Sequence, residues 1–292
     1  GKRTGAFDGE SFAGWAADVQ LNRNTRHMNS EVSYKARNPT FRAANGFITQ
    51  NNQQELFFFT NYTFYRDSES FIQRISPQTL GGYFWNFDGQ RKDEFLWLGL
   101  NMQMKGQTHL NARVLIASNE RFAGQDFRGM NRLNFNVNSN FSQRMQVGAF
   151  VGHGDAISRN PSNPEMGTGT DLSVWTTIKP TSRLSISPQI NYSSLKSQVN
   201  DEEVFSGYIL RTRTNYQFTK RLFMRVIAQY NDFAKRMEID PLVTYKVNPF
   251  TAVYFGSTHD FLDFDQRTNG QNPGFYQTQR QVFFKLQYLF RK

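Results

Sequence analysis

Polar and apolar residues alternate in the last segment of the chain, residues 281–290. Every second residue there is apolar and often aromatic, whereas the residues between are mostly polar. A period of two places the two sets on opposite faces of a β-strand. The same alternation recurs along nearly the whole sequence, which predicts an extended sheet with one apolar face and one wetter face.

The alternation predicts fifteen strands, most of them near the roughly 9–11 residues that a tilted strand needs to cross a bilayer. They span residues 11–24, 27–37, 54–65, 69–86, 93–104, 107–117, 129–141, 144–154, 168–179, 183–195, 203–218, 221–231, 238–247, 250–261 and 280–290. Pro77, Gly81 and Gly82 interrupt the segment 69–86, where they predict a bulge or a change of register.

Short connections alternate with longer, polar connections along the chain. The short ones lie near residues 25–26, 66–67, 105–106, 142–143, 180–181, 219–220 and 248–249, and the polar ones near 38–53, 87–92, 118–128, 155–167, 197–202, 232–238 and 263–279. Outer-membrane barrels have short periplasmic turns and long extracellular loops. We therefore predict an all-β fold in the bacterial outer membrane: an antiparallel up-and-down transmembrane β-barrel of about 14–16 strands, with residues 1–292 forming one domain.

The odd number of predicted strands has a consequence for the chain. An antiparallel meander closes on itself only with an even number of strands. The count of fifteen therefore predicts that Gly1 is not the natural start and that at least one upstream strand is missing or unregistered.

The composition agrees with a sheet between lipid and water. The hydrophobic fraction is 38%, below the roughly 45–50% of soluble globular proteins. The 29 Phe, 12 Tyr and 4 Trp are too many aromatic residues for a disordered coil. No segment approaches the roughly 18 consecutive apolar residues of a transmembrane helix.

The formal net charge of +10 suggests nucleic acid or an acidic surface as a partner. Lys and Arg are scattered along strands and turns, however, and no basic run is longer than two residues. This distribution favours acidic lipid headgroups. The predicted partners are outer-membrane lipid and lipopolysaccharide, with envelope proteins as further candidates and no nucleic acid; no cofactor is predicted.

Three stretches resemble a known family: residues 38–48, residues 225–256 and the terminal QRQVFFKLQYLFRK. Together they resemble the C-terminal barrel of a Bacteroidota outer-membrane family, the domain of unknown function 5916. The resemblance implies an outer-membrane barrel preceded, in full members, by a carbohydrate-binding-like β-sandwich module that is absent here. It carries no catalytic residues that can be transferred.

Two His/Asp pairs lie near predicted extracellular strand ends: His153 with Asp155, and His259 with Asp260. A base beside a carboxylate can activate water, so these pairs suggest an outer-membrane hydrolase. The simpler interpretation is that polar residues populate the boundary between strand and loop. Asp260, Asp263 and Asp265 could bind Ca²⁺ through their carboxylates. A solvated acidic loop is the simpler interpretation there, and no metal is predicted.

The wetter face carries many basic residues and few acids. The predicted basic residues of the lumen are Lys35, Arg113, Arg132, Lys179, Arg211, Arg213, Arg225, Lys246 and Lys285. Positive rings in a pore favour anions. Alternatively, these cations pair with carboxylates from loops or a plug, and the sequence leaves both interpretations open.

The apolar face is predicted to contact lipid. Its clearest members are Leu184, Ile186, Ile190, Leu222, Val226, Val282, Phe284, Leu286, Tyr288 and Phe290. Candidates for the interfacial aromatic girdles are Trp15, Tyr192, Tyr208, Tyr216, Tyr230, Tyr288 and Phe290.

These features lead to three functional hypotheses. The first is a non-enzymatic barrel with a net positive lumen, acting as a channel or as the membrane anchor of a periplasmic module and partner proteins. The second is an outer-membrane hydrolase that uses the two His/Asp pairs. The third is a structural partner in a larger envelope complex.

Overall fold

The computed structural model describes residues 13–42, 50–263 and 274–289. These residues form β-strands joined by turns and loops, and none of them is helical. Accordingly, the described part of the chain offers no apolar helix long enough to span a membrane.

Seventeen strands are present in the described residues. They are β1 Ala16–Asn24, β2 Met28–Arg37, β3 Gln53–Tyr62, β4 Phe64–Tyr65, β5 Ile72–Trp85, β6 Arg91–Met104, β7 Thr108–Phe122, β8 Gln125–Phe127, β9 Arg132–Ser142, β10 Met145–Ser158, β11 Glu165–Ile178, β12 Leu184–Ser197, β13 Glu203–Gln217, β14 Leu222–Asn231, β15 Arg236–Asn248, β16 Thr251–Asp263 and β17 Phe275–Tyr288.

The chain forms two compact units. The first comprises residues 1–102, 111–133 and 157–166, and the second comprises residues 103–110, 134–156 and 167–292. In the first unit, β1, β2, β3 and β5 pair antiparallel in that order. In the second unit, β11 to β17 pair antiparallel in chain order.

The predicted fold class is confirmed: the protein is all-β, and its strands run up and down in the antiparallel manner of an outer-membrane-type barrel. Fifteen of the seventeen strands have nine or more residues and correspond one to one to the predicted segments. The two additional strands are short. β4 continues β3 beyond Thr63 in the same register against β5, and β8 folds back on the end of β7.

Two predicted features near β5 and β7 differ from the structure: a bulge and a loop. β5 pairs with β3 and β4 in one continuous register, so the predicted bulge in 69–86 is absent from these pairings. Gly81 and Gly82 instead make room for neighbouring rings, because a Cβ at either position would overlap a phenylalanine side chain. The predicted loop 118–128 is a hairpin, in which Ala123 and Gly124 adopt the left-handed conformation that a tight turn between twisted strands requires.

Cross-strand pairing sorts the side chains of the second unit into two faces. One row, the apolar row, runs across six strands and consists of Leu184, Tyr216, Met224, Val243, Phe255 and Phe284. We call the side of the sheet that carries this row the apolar face. The adjacent row on the opposite side, the polar face, consists of Ser185, Asn215, Arg225, Leu242, Gly256 and Phe283.

The register also locates the residues predicted to contact lipid. Nine of the ten lie on the apolar face, whereas Phe290 lies outside the described residues. Several are highly exposed, with 68% of Phe284 and 60% of Leu286 accessible. In the described chain only six apolar side chains are buried: Ala36, Leu115, Phe127, Met130, Pro164 and Leu195. The apolar residues therefore do not form the core of a soluble domain.

Aromatic rings cluster toward both ends of the apolar face. At one end Tyr208 lies opposite Tyr192, and its ring centroid is 5.9 Å from that of Tyr230. At the other end the rings of Tyr216 and Phe218 meet edge to face at 4.8 Å. These contacts include four of the predicted girdle residues.

The polar face is packed locally by a large ring. A Cβ at Gly148 would overlap the indole of Trp175, which lies opposite Gln189 on the polar face. We expect Gly148→Val to lower the free energy of unfolding by about 1–3 kcal/mol, because the added atoms force the indole out of its rotamer. The measurement is the temperature at which circular dichroism reports loss of strands in detergent. The control is Ala149→Val on the opposite face of β10, and equal melting of the two variants would contradict the packing.

Candidate functional site: a cation-lined pocket

The second unit contains a pocket of about 550 Å³ beside the turn that joins β11 to β12. Its lining comes from this turn and from β12 to β16 and consists of Lys179, Thr181, Ser182, Arg183, Leu184, Ser185, Asn215, Tyr216, Gln217, Phe223, Met224, Arg225, Leu242, Thr244, Lys246 and Tyr254. The volume lies in the range of small-molecule sites, roughly 300–1,000 Å³.

Strand register explains which side chains meet at the pocket. Arg225 on β14 lies opposite Leu242 on β15, and Phe223 lies opposite Thr244. Because residues two apart share a face, Lys246 follows Thr244 on the polar face. The Nζ of Lys246 is 5.0 Å from the ring centroid of Phe223. The pocket floor thus alternates cationic and apolar side chains over two neighbouring strands.

The charge of the pocket is wholly positive. Lys179, Arg183, Arg225 and Lys246 line it, and no Asp or Glu does. Within the described part of the chain none of the four forms an ion pair, and the Nε of Arg225 is buried without a hydrogen-bond partner. Uncompensated cations in a concave surface raise the local concentration of anions.

Apolar groups on the polar face extend the floor toward β17. The Nζ of Lys285 is 5.8 Å from the ring centroid of Tyr254, to which it is directly opposite. At the next row, Phe283 and Leu242 close over Gly256, because a Cβ there would meet both side chains. Ammonium groups held over ring faces gain roughly 0.5–1 kcal/mol at exposed sites.

At the other end of the same strands, acids and bases compensate each other. Arg236 contacts Glu238 at 3.0 Å and Asp260 at 2.9 Å. In the adjoining turn, Lys235 contacts Asp232 at 2.6 Å, and this hydrogen bond raises the pKa of Lys235 above its usual value. The polar face therefore carries unpaired cations near the turns 179–183 and 218–221 and paired charges near the loop 232–235.

In the first unit, charges at the corresponding loops are also paired. Arg159 forms two contacts with the carboxylate of Glu120, at 2.5 and 3.0 Å, and lies over the ring of Phe122. The hydrogen bonds to Glu120 raise the pKa of Arg159 above its usual value. The charge of Arg159 is therefore compensated by a carboxylate, whereas no carboxylate lines the pocket.

The predicted basic residues fall into different environments. Lys179, Arg225 and Lys246 line the pocket, and Lys285 lies beside it over Tyr254. Arg211 and Arg213 share the polar face of β13, opposite Gln189 and Ser187. These six residues are all in the second unit.

The remaining three predicted basic residues are in the first unit. Lys35 contacts Glu55 at 3.6 Å. The aliphatic stem of Arg113 lies against Gly99, next to Gln78. Arg132 is the first residue of β9. Lys35 thus matches the alternative that cations pair with carboxylates, whereas the pocket cations do not.

The second His/Asp pair does not form a convergent site. His259 and Asp260 are consecutive residues of β16, so their side chains lie on opposite faces. Asp260 contacts Arg236, and His259 is within hydrogen-bonding distance of Ser257 and Gln277.

In the first pair, His153 and Asp155 each contact another side chain. His153 is within 2.9 Å of Thr170, and Asp155 accepts a hydrogen bond from Gln198 at 2.6 Å. Of the proposed calcium ligands, Asp263 ends β16 and Asp265 lies outside the described residues. The described part of the chain contains no group of three or more His, Asp or Glu residues that could hold a metal ion.

Several pocket residues were missed by reasoning from the sequence. Arg183 lies in a turn, where the alternation of faces gives no orientation. Phe223 and Tyr254 occupy polar-face positions. An aromatic residue on the otherwise polar face is the sequence feature that could have identified them as pocket residues. Their proximity to Arg225 and Lys246 depends on register between strands, which a single strand pattern does not contain.

Comparison with solved structures gives low similarity. The chain is similar to the outer membrane channel DcaP of Acinetobacter baumannii, with a TM-score of 0.42, 10% identity and coverage of 94% of this chain and 97% of that chain. OmpT of Vibrio cholerae, expressed in the outer membrane, gives a TM-score of 0.34, 10% identity and coverage of 96% and 98%. A FadL homologue of Pseudomonas aeruginosa gives a TM-score of 0.28 and 9% identity, with coverage of 84% of this chain and 69% of that chain.

No protein-family profile matches the chain, and the comparison with curated proteins gives no match.

The unpaired cations make a chemical prediction. At low salt we expect an anionic amine reagent, a sulfonated succinimidyl ester, to modify Lys179 and Lys246 about threefold to tenfold faster than its neutral counterpart, because a positive surface attracts the anion. Lys35, beside Glu55, should show no such preference. Mass spectrometry of the modified peptides measures the rates. A preference that persists at 1 M salt, where screening is nearly complete, would contradict an electrostatic origin.

Proposed function

We propose that this chain is a non-enzymatic outer-membrane barrel that passes small anionic solutes along its polar face. The observation that carries the proposal is the pocket, which is lined by four cations and no acid and in which none of these cations forms an ion pair with another described residue. Rings of fixed positive charge favour anions over cations in a pore.

The membrane part of the proposal is supported by the apolar face. An exposed apolar surface that continues across six strands is rare on soluble monomers. Eight residue steps separate Tyr208 from Tyr216, which is about 26 Å along a strand at roughly 3.3 Å per residue. Outer-membrane barrels carry an apolar band about 25 Å tall between aromatic girdles. The distance from Tyr208 to Tyr216 along the strand is of the same order as the height of this band.

The polar face supports transport more than catalysis. His259 and Asp260 lie on opposite faces of β16, and each of the four side chains in the two His/Asp pairs has another hydrogen-bonding partner. The role of anchor for a periplasmic module remains the second candidate, because it needs only the membrane face. The resemblance to the domain of unknown function 5916 likewise stays a prediction.

Ion selectivity tests the transport proposal directly. The purified protein in a planar bilayer should show a reversal potential favouring chloride over potassium in a KCl gradient. The double variant Arg225→Gln, Lys246→Gln should reduce the anion-to-cation permeability ratio severalfold, because it removes two of the four pocket charges.

The matched control removes two cations elsewhere in the same unit. Lys196→Gln, Arg280→Gln changes the net charge equally, and both residues are exposed outside the pocket lining. The control should keep the selectivity of the unmodified protein. Absence of conductance, a preference for cations, or equal effects of the two double variants would contradict anion transport.

The apolar face makes a separate prediction about stability. Phe284→Arg should destabilise the protein in a bilayer by about 2–4 kcal/mol if the residue lies near the midplane, because a charge there contacts hydrocarbon. Gln287→Arg, on the polar face of the same strand, should change stability little. Denaturant unfolding from lipid vesicles provides the free energies, and equal losses for the two variants would argue against lipid contact at Phe284.

A further inference from the structure

The pocket combines cations with apolar surface in a way that a site for inorganic ions does not require. Phe223 lies between Arg225 and Lys246 along the floor, and Leu242 lies directly opposite Arg225. A chloride or phosphate ion uses only the charged and hydrogen-bonding groups. The apolar side chains need a ligand with an apolar part of its own.

We infer that this pocket is a binding site for small aromatic anions, in which the acidic group meets Arg225 and Lys246 and the ring meets Phe223 and Leu242. The inference rests on the proposed function and adds the class of solute. It commits to organic anions with a flat apolar body, such as aryl sulfonates and carboxylates.

The size and shape of the pocket support an organic ligand. A volume of about 550 Å³ holds a bicyclic aromatic body with water to spare. Ring faces pair favourably when they are offset or edge to face, and Phe223 offers a ring on the pocket wall. An inorganic ion alone would leave most of this volume to water.

The polar groups support an acidic function on that ligand. The guanidinium of Arg225 has a buried Nε without a partner, and its planar fork matches carboxylate and sulfonate oxygens. Lys246 supplies a second, flexible cation over the ring of Phe223. Asn215, Thr244 and Tyr254 add neutral hydrogen-bonding groups to the same lining. A neutral aromatic molecule would leave these cations uncompensated.

The direct test is calorimetry on the full chain in nanodiscs of neutral lipid, with empty nanodiscs subtracted. The probes are naphthalene-2-sulfonate and methanesulfonate, which share the acidic group and differ in the apolar body. We expect naphthalene-2-sulfonate to bind at least tenfold more tightly. The double variant Arg225→Gln, Lys246→Gln should weaken it at least tenfold.

A second variant separates the apolar contribution from the charge. Phe223→Ala should weaken naphthalene-2-sulfonate about fivefold and leave methanesulfonate unchanged. The matched control is Phe255→Ala on the apolar face, which should change neither affinity. Circular dichroism confirms that each variant retains its strands before binding is compared.

Three outcomes would overturn the inference: equal affinity for the two probes, no binding of naphthalene-2-sulfonate, or equal effects of Phe223→Ala and Phe255→Ala. Anion-selective conductance together with any of these outcomes leaves the proposed transport intact and rejects only the aromatic ligand. Specific binding of naphthalene-2-sulfonate without conductance supports the site and rejects transport.

Discussion

The antiparallel register of the strands is the constraint on which the other features depend. It aligns alternate residues of six strands into the apolar row on one side and into the row containing Arg225 on the other. A shift of one residue in any strand would exchange its two faces. Backbone groups are satisfied by the strand pairing, so the side chains of the two faces can be matched to two different solvents.

The distribution of charge along the polar face follows from the same register. Near the loop 232–235, Arg236 is held by Glu238 and Asp260, whereas no acid lines the pocket near the turns and its cations form no ion pair with another described residue. The pocket is therefore positive because its lining contains four cations and no carboxylate. Apolar floor residues such as Phe223 and Leu242 separate the charges and give the pocket its mixed character.

The sequence predicted much of the fold and only part of the site. Period-two alternation located fifteen long strands, because that pattern is local to each strand. It did not show that Gly81 and Gly82 accommodate neighbouring phenylalanine rings. The alternation placed Arg225 and Lys246 on the wetter face. It did not show that Lys35 contacts Glu55, whereas no acid lines the pocket of Arg225 and Lys246. Pairing between strands decides those contacts, and it becomes visible only when the register is known.

The central claim is that the apolar face contacts hydrocarbon while the polar face contacts water. The protein has no cysteine, so single cysteines can be introduced and spin-labelled one at a time along residues 281–288 of β17. In lipid vesicles, collision with oxygen should be high at 282, 284, 286 and 288, and collision with a water-soluble nickel chelate should be high at 281, 283, 285 and 287. Uniform accessibility to the chelate, with no period of two, would contradict the account.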